Sequence, residues 1–307
     1  MRRMLALPVA MVAAALLLTG CVNNEATENP QSSGGGNASA SAGSSDAINV
    51  TKDDALAATL PDAIKNAGVI KIGTDPTYAP NEYKDDAGNP IGWDIDLANA
   101  IAAKLGVKAQ YTTAKFDNII PSIVGGKYDM GVSSFTDTAE REKQVDFVNY
   151  YNAGILWASA KGKTVDPNNA CGLKVAVEAG TTEDLEDVPA KSKACTDAGK
   201  AKIDKFQFDG QDQATNALVL GQVDAMSADS PIIEYAVHQQ SDKIQIAGET
   251  FDVAPYGFAT AKGSALTDVI KNTVQAPSDD GTYLKALKKW GVEDGAVTTA
   301  SVNEASK

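Results

Sequence analysis

The sequence predicts an α/β protein built as two lobes. Short apolar runs that read as strands, at 69–75, 107–113, 174–177 and 223–229, alternate with stretches of helical periodicity at 92–106, 116–126 and 209–221. The length of 307 residues is large for one domain and suits two of ordinary size. Apolar residues make up 43% of the chain, enough to fill two cores. The net charge of −13 removes the basic face that nucleic-acid binding needs, although it says nothing about the charge of a small ligand.

Residues 1–20 read as a targeting segment: Arg2-Arg3, an apolar run from Met4 to Leu18, then Leu18-Thr19-Gly20-Cys21. The last four residues resemble a bacterial lipobox, which implies cleavage before Cys21 and lipidation of its thiol. The apolar run is too short for a lasting membrane span. Residues 21–54 are expected to be a flexible tether. Their Asn, Ser, Gly and Ala cannot bury a core, and a coil of that length reaches about 30 Å. The protein is therefore expected outside the cytoplasm, anchored to the outer face of the cell membrane. Disulfides persist there. With Cys21 assigned to lipid, Cys171 and Cys195 remain as a pair and are expected to be bonded, stabilising the fold by about 3 kcal/mol.

Residues 54–67 read as a short helix broken at Leu60-Pro61. The strand 69–75 ends in a loop, 76–83, which leaves Tyr78 exposed at the strand's C-terminal edge, where open α/β sheets bind ligands. Gly92-Trp93-Asp94-Ile95-Asp96-Leu97 opens a strong helix with Ile95, Ala98, Ile101, Ala102 and Leu105 on one face and Gly106 as its stop. Asp94 and Asp96 read as helix caps rather than as a metal site. Phe116-Asp117 lead the next helix, to Gly125-Gly126.

Met130-Gly131-Val132 then runs into Ser133-Ser134-Phe135-Thr136-Asp137-Thr138-Ala139-Glu140-Arg141. Asp137 and Glu140 have capping-box spacing, so a helix is expected to start here. An arginine in a first turn opposes the helix dipole unless an anion compensates it. Its planar fork fits a carboxylate bidentately. A surface pairing of Arg141 with Glu140 or Asp146 explains it equally well from the local sequence.

Asp129, Ser134, Thr136, Thr138, Arg141, Asp146-Phe147 and Tyr150-Tyr151 together resemble the most distinctive segment of the family 3 extracellular solute-binding proteins, the polar amino-acid receptors of ABC importers. The likeness extends over nearly all of the chain after residue 68. It implies a two-lobed fold of the type II periplasmic-binding-protein kind, with two hinge strands. Lobe 1 is then 55–152 with 254–307, and lobe 2 is 153–253. Arg141 would clamp a ligand carboxylate, helped by Thr136 and by the Gly180-Thr181-Thr182 turn. Asp229 would take the α-ammonium with Ser134 and Thr136, and Tyr78 and Phe116 would sandwich the aliphatic part. Asp75 and Glu178 make the side-chain end negative, which favours a cationic or neutral polar amino acid over glutamate or aspartate. Read locally, each of these residues has a plainer role: a cap for Asp75 and Asp229, loop packing for Tyr78, a helix-start staple for Phe116.

The remaining elements follow in order. A strand is expected at 154–160 after a crossing at 150–153. Strand 174–177 turns through Glu178-Ala179-Gly180-Thr181-Thr182 into a helix, with Thr181 three residues before Asp184. Ser230-Pro231 start a helix that carries His238, the single histidine, read as surface or packing. A strand at 244–247, a second crossing at 253–257, a strand at 256–260 and a last helix at 281–290 complete the reading, with a loose polar tail after Val292. No phosphate loop, nucleophile elbow, zinc motif or dinucleotide fingerprint occurs, so neither cofactor, metal nor catalytic group is expected. The resemblance makes the chain a monomeric carrier that meets a membrane permease. The alternatives are a dehydratase on the same scaffold, or a sensing or adhesive lipoprotein.

Overall fold

The computed structural model describes residues 50–305. The expected targeting segment, most of the expected tether and Cys21 lie outside the described residues. In chain order the elements are α1 (Asp54–Ala58), α2 (Asp62–Ala67), β1 (Val69–Thr74), β2 (Thr77–Tyr78), β3 (Glu82–Lys84), β4 (Pro90–Ile91), α3 (Trp93–Lys104), β5 (Lys108–Thr113), α4 (Phe116–Val124), β6 (Met130–Gly131) and β7 (Val145–Ala160). They continue with β8 (Lys174–Glu178), α5 (Val188–Asp197), β9 (Asp204–Phe208), α6 (Gln211–Val219), β10 (Ala225–Asp229), α7 (Ser230–Gln239), β11 (Ile244–Ala261), α8 (Ala265–Asp279), α9 (Thr282–Trp290) and β12 (Ala296–Val302).

Two α/β halves share only β7 and β11. In the first half the strand order is β5-β1-β6-β11-β7, and in the second it is β11-β7-β10-β8-β9. The segments expected as crossings are the middles of these two long strands rather than separate connectors. Their antiparallel register slips between Ala247 and Phe251, between Phe251 and Ala254, and between Tyr256 and Gly257. A ladder interrupted in this way bends more easily than a regular one. The first half buries Ile70, Ile72, Trp93, Ile101 and Phe258 on one face of its sheet and Phe116, Ile119, Phe135 and Phe147 on the other. In the second half α6 and α7 cover one face, around Leu218, Met226 and Ile233. The other face holds Trp157, Val177 and Val188. Cys195 of α5 is bonded to Cys171, as expected from the sequence.

Five local expectations are corrected. The loop at 76–83 is not irregular, because β2, β3 and β4 pair into a small antiparallel sheet. Tyr78, on β2, is buried rather than exposed. Asp94 does not cap α3: Gly92 holds the cap position at φ 132°, where a Cβ would come within 2.0 Å of the Asn81 carbonyl oxygen. The Asp94 carboxylate instead accepts the Ser134 N–H at 3.2 Å. The Asp137–Glu140 spacing makes no α-helix; a single 3-10 turn spans Arg141–Lys143. Asp137 accepts instead from Asn149 Nδ2 at 3.0 Å and from the Glu304 N–H at 2.7 Å.

The tail is the fifth correction. It is not loose, because β12 pairs antiparallel with β7, Ser301 opposite Asn149 and Val302 opposite Val148. Beyond it, Asn303 Oδ1 accepts the Phe147 N–H at 2.9 Å. Removal of residues 296–307 strips these bonds from the strand that crosses between the halves. The expected loss is about 2 kcal/mol, or about 4–8 °C in melting temperature for a chain of this size. An unchanged melting curve for the truncated chain would show that the tail contributes nothing to the fold.

Candidate functional site

The sheet order sets the C-terminal ends of β1, β6, β8 and β10 around one cavity of about 280 Å³ between the two halves. All ten candidate binding residues line it: Asp75, Tyr78, Phe116, Ser134, Thr136, Arg141, Glu178, Thr181, Thr182 and Asp229. Glu82, Ser133 and Glu183 line it as well and were not singled out in the sequence.

The first half supplies two walls. Asp75 follows β1, and its Oδ2 accepts the Phe116 N–H at 2.9 Å, the first turn of α4. The Asp75 N–H donates to Ser133 Oγ at 3.0 Å. Burial pushes the Asp75 carboxyl up to about 6, against the hydrogen bonds that favour its charged form. Phe116 stacks on Phe135 with ring centroids 4.6 Å apart, and the Arg141 guanidinium lies 5.3 Å from the Phe116 ring centre. Phe116 is therefore a wall of the cavity and a rest for the cation, not only a helix-start residue.

Ser134 holds a left-handed backbone at φ 49°, rare for a residue with a side chain. A buried network keeps it there: its Oγ donates to Glu82 Oε2 at 2.9 Å and accepts from Asn81 Nδ2 at 2.9 Å, and Asn81 Oδ1 accepts Trp93 Nε1–H at 2.7 Å. Burial holds Glu82 well above the usual carboxylate range, with the charge of Asp94 adding to the effect. Burial takes Asp94 up to about 7. Glu82 on the cavity wall and Asp94 behind it thus form an acid pair favoured in its protonated form.

Arg141 reaches across the gap. Its Nη1 donates to the Thr136 carbonyl oxygen at 2.7 Å and its Nη2 to the Gly180 carbonyl oxygen, in the second half, at 2.9 Å. It pairs with neither Glu140 nor Asp146, and no carboxylate forms an ion pair with it among the described residues. Burial lowers its pKa, and the nearby charges of Glu183 and Asp229 oppose that shift.

The second half closes the cavity. Glu178 ends β8, is 2% exposed, and is pushed well up by burial and then by the charge of Asp75. Thr181 and Asp184 form a reciprocal cap. Thr181 Oγ1 accepts the Asp184 N–H at 3.2 Å, and Asp184 Oδ2 accepts the Gly180 N–H at 2.9 Å. A Cβ on Gly180, at φ +82°, would lie 2.9 Å from Asp117 Cβ, so the halves meet closely here. Asp229 occupies the N-cap position of α7 but caps nothing with its side chain. Its Oδ2 accepts instead from Tyr78 Oη, of the opposite half, at 2.8 Å. Burial raises its pKa, and the Tyr78 hydroxyl opposes the rise. The plainer role of a second cap is thereby excluded.

The cavity thus has a guanidinium at one point of its wall and five carboxyl groups, from Asp75, Glu82, Glu178, Glu183 and Asp229, around the remainder. Among the described residues no cluster fit to hold a metal ion is present, and no helix is long and apolar enough to cross a membrane.

Known proteins resemble this chain in sequence and fold. The sequence pattern of the bacterial extracellular solute-binding proteins, family 3, matches residues 70–293. The arginine-binding protein ArgT of Corynebacterium glutamicum is 34% identical over 305 residues, covering 99% of this chain and 96% of that protein. The lysine/arginine/ornithine-binding periplasmic protein of Escherichia coli is 30% identical, covering 72% of this chain and 86% of its own. Among solved structures, an ancestral arginine-binding protein bound to arginine superposes with a TM-score of 0.67 at 37% identity, covering 73% of this chain and 98% of that one. Fold and sequence pattern agree, and the chain belongs to family 3 of the bacterial extracellular solute-binding proteins.

Proposed function

We propose that this solute-binding protein captures a cationic amino acid of the arginine type and passes it to the permease of an ABC importer. The observation that carries the reading is the charge layout of the cavity: one guanidinium free of carboxylate partners against five buried carboxyl groups. Arg141 clamps the ligand α-carboxylate, with backbone N–H groups of the Thr181-Thr182 turn and the Thr136 region beside it. Asp229 takes the α-ammonium with Ser134 and Thr136. Tyr78 and Phe116 hold the aliphatic stem between them. Asp75 and Glu178 receive the distal cation. The relatives named for arginine and for lysine, arginine and ornithine support this choice of ligand class.

Closure follows from the same residues. Lobe 1 (55–152 and 254–307) and lobe 2 (153–253) move as bodies about the middles of β7 and β11. Only the closed form brings Arg141 and Asp75 together with Glu178, Thr181 and Asp229. The ligand binds that form better and shifts the equilibrium toward it, and the permease reads the closed shape. Capture rather than turnover is the role, performed by a monomer tethered to the membrane through a lipid on Cys21.

A panel of melting curves with the twenty amino acids and ornithine tests the reading. Ligand at a hundred times its dissociation constant adds about 2.7 kcal/mol of stability. Arginine, and more weakly lysine or ornithine, should raise the melting temperature, and glutamate should not. A flat panel, or a shift with glutamate, overturns it.

The carboxyls also give the binding a pH dependence. A distal cation requires ionised Asp75, whose folded value is about 6. Affinity for arginine is expected to rise about tenfold from pH 5 to pH 7.5, by proton linkage at this one group. Stability of the ligand-free protein runs the other way. A carboxyl raised above its unfolded value contributes stability that is fully present below that unfolded value and is lost as pH climbs through about 6. Calorimetric titrations at several pH values check the first trend and melting curves without ligand the second.

A further inference from the structure

Nothing in the sequence singles out Glu183, and the binding scheme above leaves it unused. It follows Thr181 and Thr182 directly, is 1% exposed and lines the cavity beside Asp229 and Arg141. Its Oε2 accepts from Thr182 Oγ1 at 3.3 Å. Its Oε1 is buried without a hydrogen-bond partner among the described residues. A buried carboxyl oxygen without a geometric donor is a place where a ligand N–H can be accepted. Among the described residues the one cation lining the cavity is Arg141, whose two Nη atoms donate to carbonyl oxygens instead.

We infer that Glu183 is a second acceptor for the α-ammonium group of the ligand, paired with Asp229, and that the two select amino acids over the matching acids that lack the α-amino group. The inference rests on the amino-acid reading above and deepens it at one end of the same cavity. An ammonium has three N–H donors to place. Of the partners named for it, Asp229 Oδ2 already accepts from Tyr78, and Ser134 Oγ already accepts from Asn81 and donates to Glu82, so the group has room for a further acceptor. The unpartnered Glu183 Oε1 supplies the missing acceptor. The groups facing Glu183 from other elements include Asp229, Glu178, Tyr78, Tyr256 and Arg141, and of these only Arg141 is a cation. Two adjacent carboxyls resist joint ionisation in such a place, and burial with the charge of Asp229 holds Glu183 far up. A bound ammonium replaces the missing countercharge, and the proton it displaces from the pair passes to solvent.

Two ligands and two variants test this in the purified protein. L-arginine and 5-guanidinopentanoate differ only in the α-amino group, and displacement of L-arginine keeps weak binding of the second measurable. Glu183→Ala is expected to weaken L-arginine about tenfold or more, the worth of a hydrogen bond to a charged group. Binding of 5-guanidinopentanoate should stay within about threefold of wild type. If Glu183→Ala does not fold, Glu183→Gln takes its place, with a smaller loss for L-arginine and again none for the analogue. Equal losses for both ligands mean that Glu183 only shapes the turn, and no loss for either means that it does not touch the ligand. Both outcomes overturn the inference and leave the amino-acid reading standing. A wild-type protein that binds 5-guanidinopentanoate as tightly as L-arginine overturns it too. Failure of the wild type to bind L-arginine at all overturns the amino-acid reading and this inference with it.

Discussion

Arg141→Ala is expected to weaken amino-acid binding about a thousandfold, near 4 kcal/mol, the range found when one partner of a buried, hydrogen-bonded charge pair is truncated. The size comes from what is left behind. Without the guanidinium a ligand carboxylate must enter a nearly closed cavity that holds five carboxyl groups. Nothing in that wall then compensates it except backbone N–H groups and hydroxyls. The folded protein itself should lose little. The two carbonyl oxygens that Arg141 serves, on Thr136 and Gly180, lie at the seam between the halves and regain water once the seam opens. Calorimetry for affinity and a melting curve without ligand separate the two effects. Affinity retained to within tenfold would show that the carboxylate is held elsewhere.

Glu178→Lys is the second large effect. Glu178 closes the side-chain end of the cavity opposite Asp75, with Thr77 Oγ1 between them at the edge of hydrogen-bond distance, 3.5 Å from Glu178 Oε1. A lysine there neutralises Asp75 and sets a like charge against the ligand's distal cation. Loss of one favourable pair and gain of one unfavourable contact in a desolvated site should cost L-arginine about a hundredfold. A neutral amide such as glutamine should lose far less and can overtake arginine as the preferred ligand. Competition binding with both amino acids reads the change. An unaltered order of preference would remove Glu178 from the specificity end of the site.

Much of this was legible in the sequence because the informative residues are local. Apolar periodicity at Ile95, Ala98, Ile101 and Ala102 marked α3, and the run into Asp229 marked β10 with the following helix start. The family resemblance carried by Ser134–Arg141 pointed to residues that line the cavity, because residue types at fixed spacing in one short segment carry it. Helix α8 was overlooked although its signal was present, with Leu266, Val269, Ile270 and Val274 on one face and Ser264 as cap. Strand β12 carried no such signal. Ala296–Val302 is half polar, and its conformation is decided by β7, almost 150 residues away.

The site residues that escaped share one cause. Glu82 and Glu183 are charged residues at an element start, a place where solvent exposure is the ordinary expectation. Both are buried by partners far along the chain, Glu82 by Ser133 and Ser134 of its own half and Glu183 by the approach of the two halves, which no local pattern encodes. The same approach buries Tyr78 against Asp229. Asp94 failed as a predicted cap for a related reason: the Ser134 N–H, forty positions along the chain, offered it a buried partner that the helix start did not.

The most direct measurement is a crystal structure of the protein grown with L-arginine. The expected density has the α-carboxylate in the fork of Arg141, the α-amino group against Asp229 and Glu183, the aliphatic stem between Tyr78 and Phe116, and the guanidinium at Asp75 and Glu178. Arginine lying in the reverse sense, with its guanidinium toward Asp229, or bound outside the cavity between the two halves, would contradict the central claim.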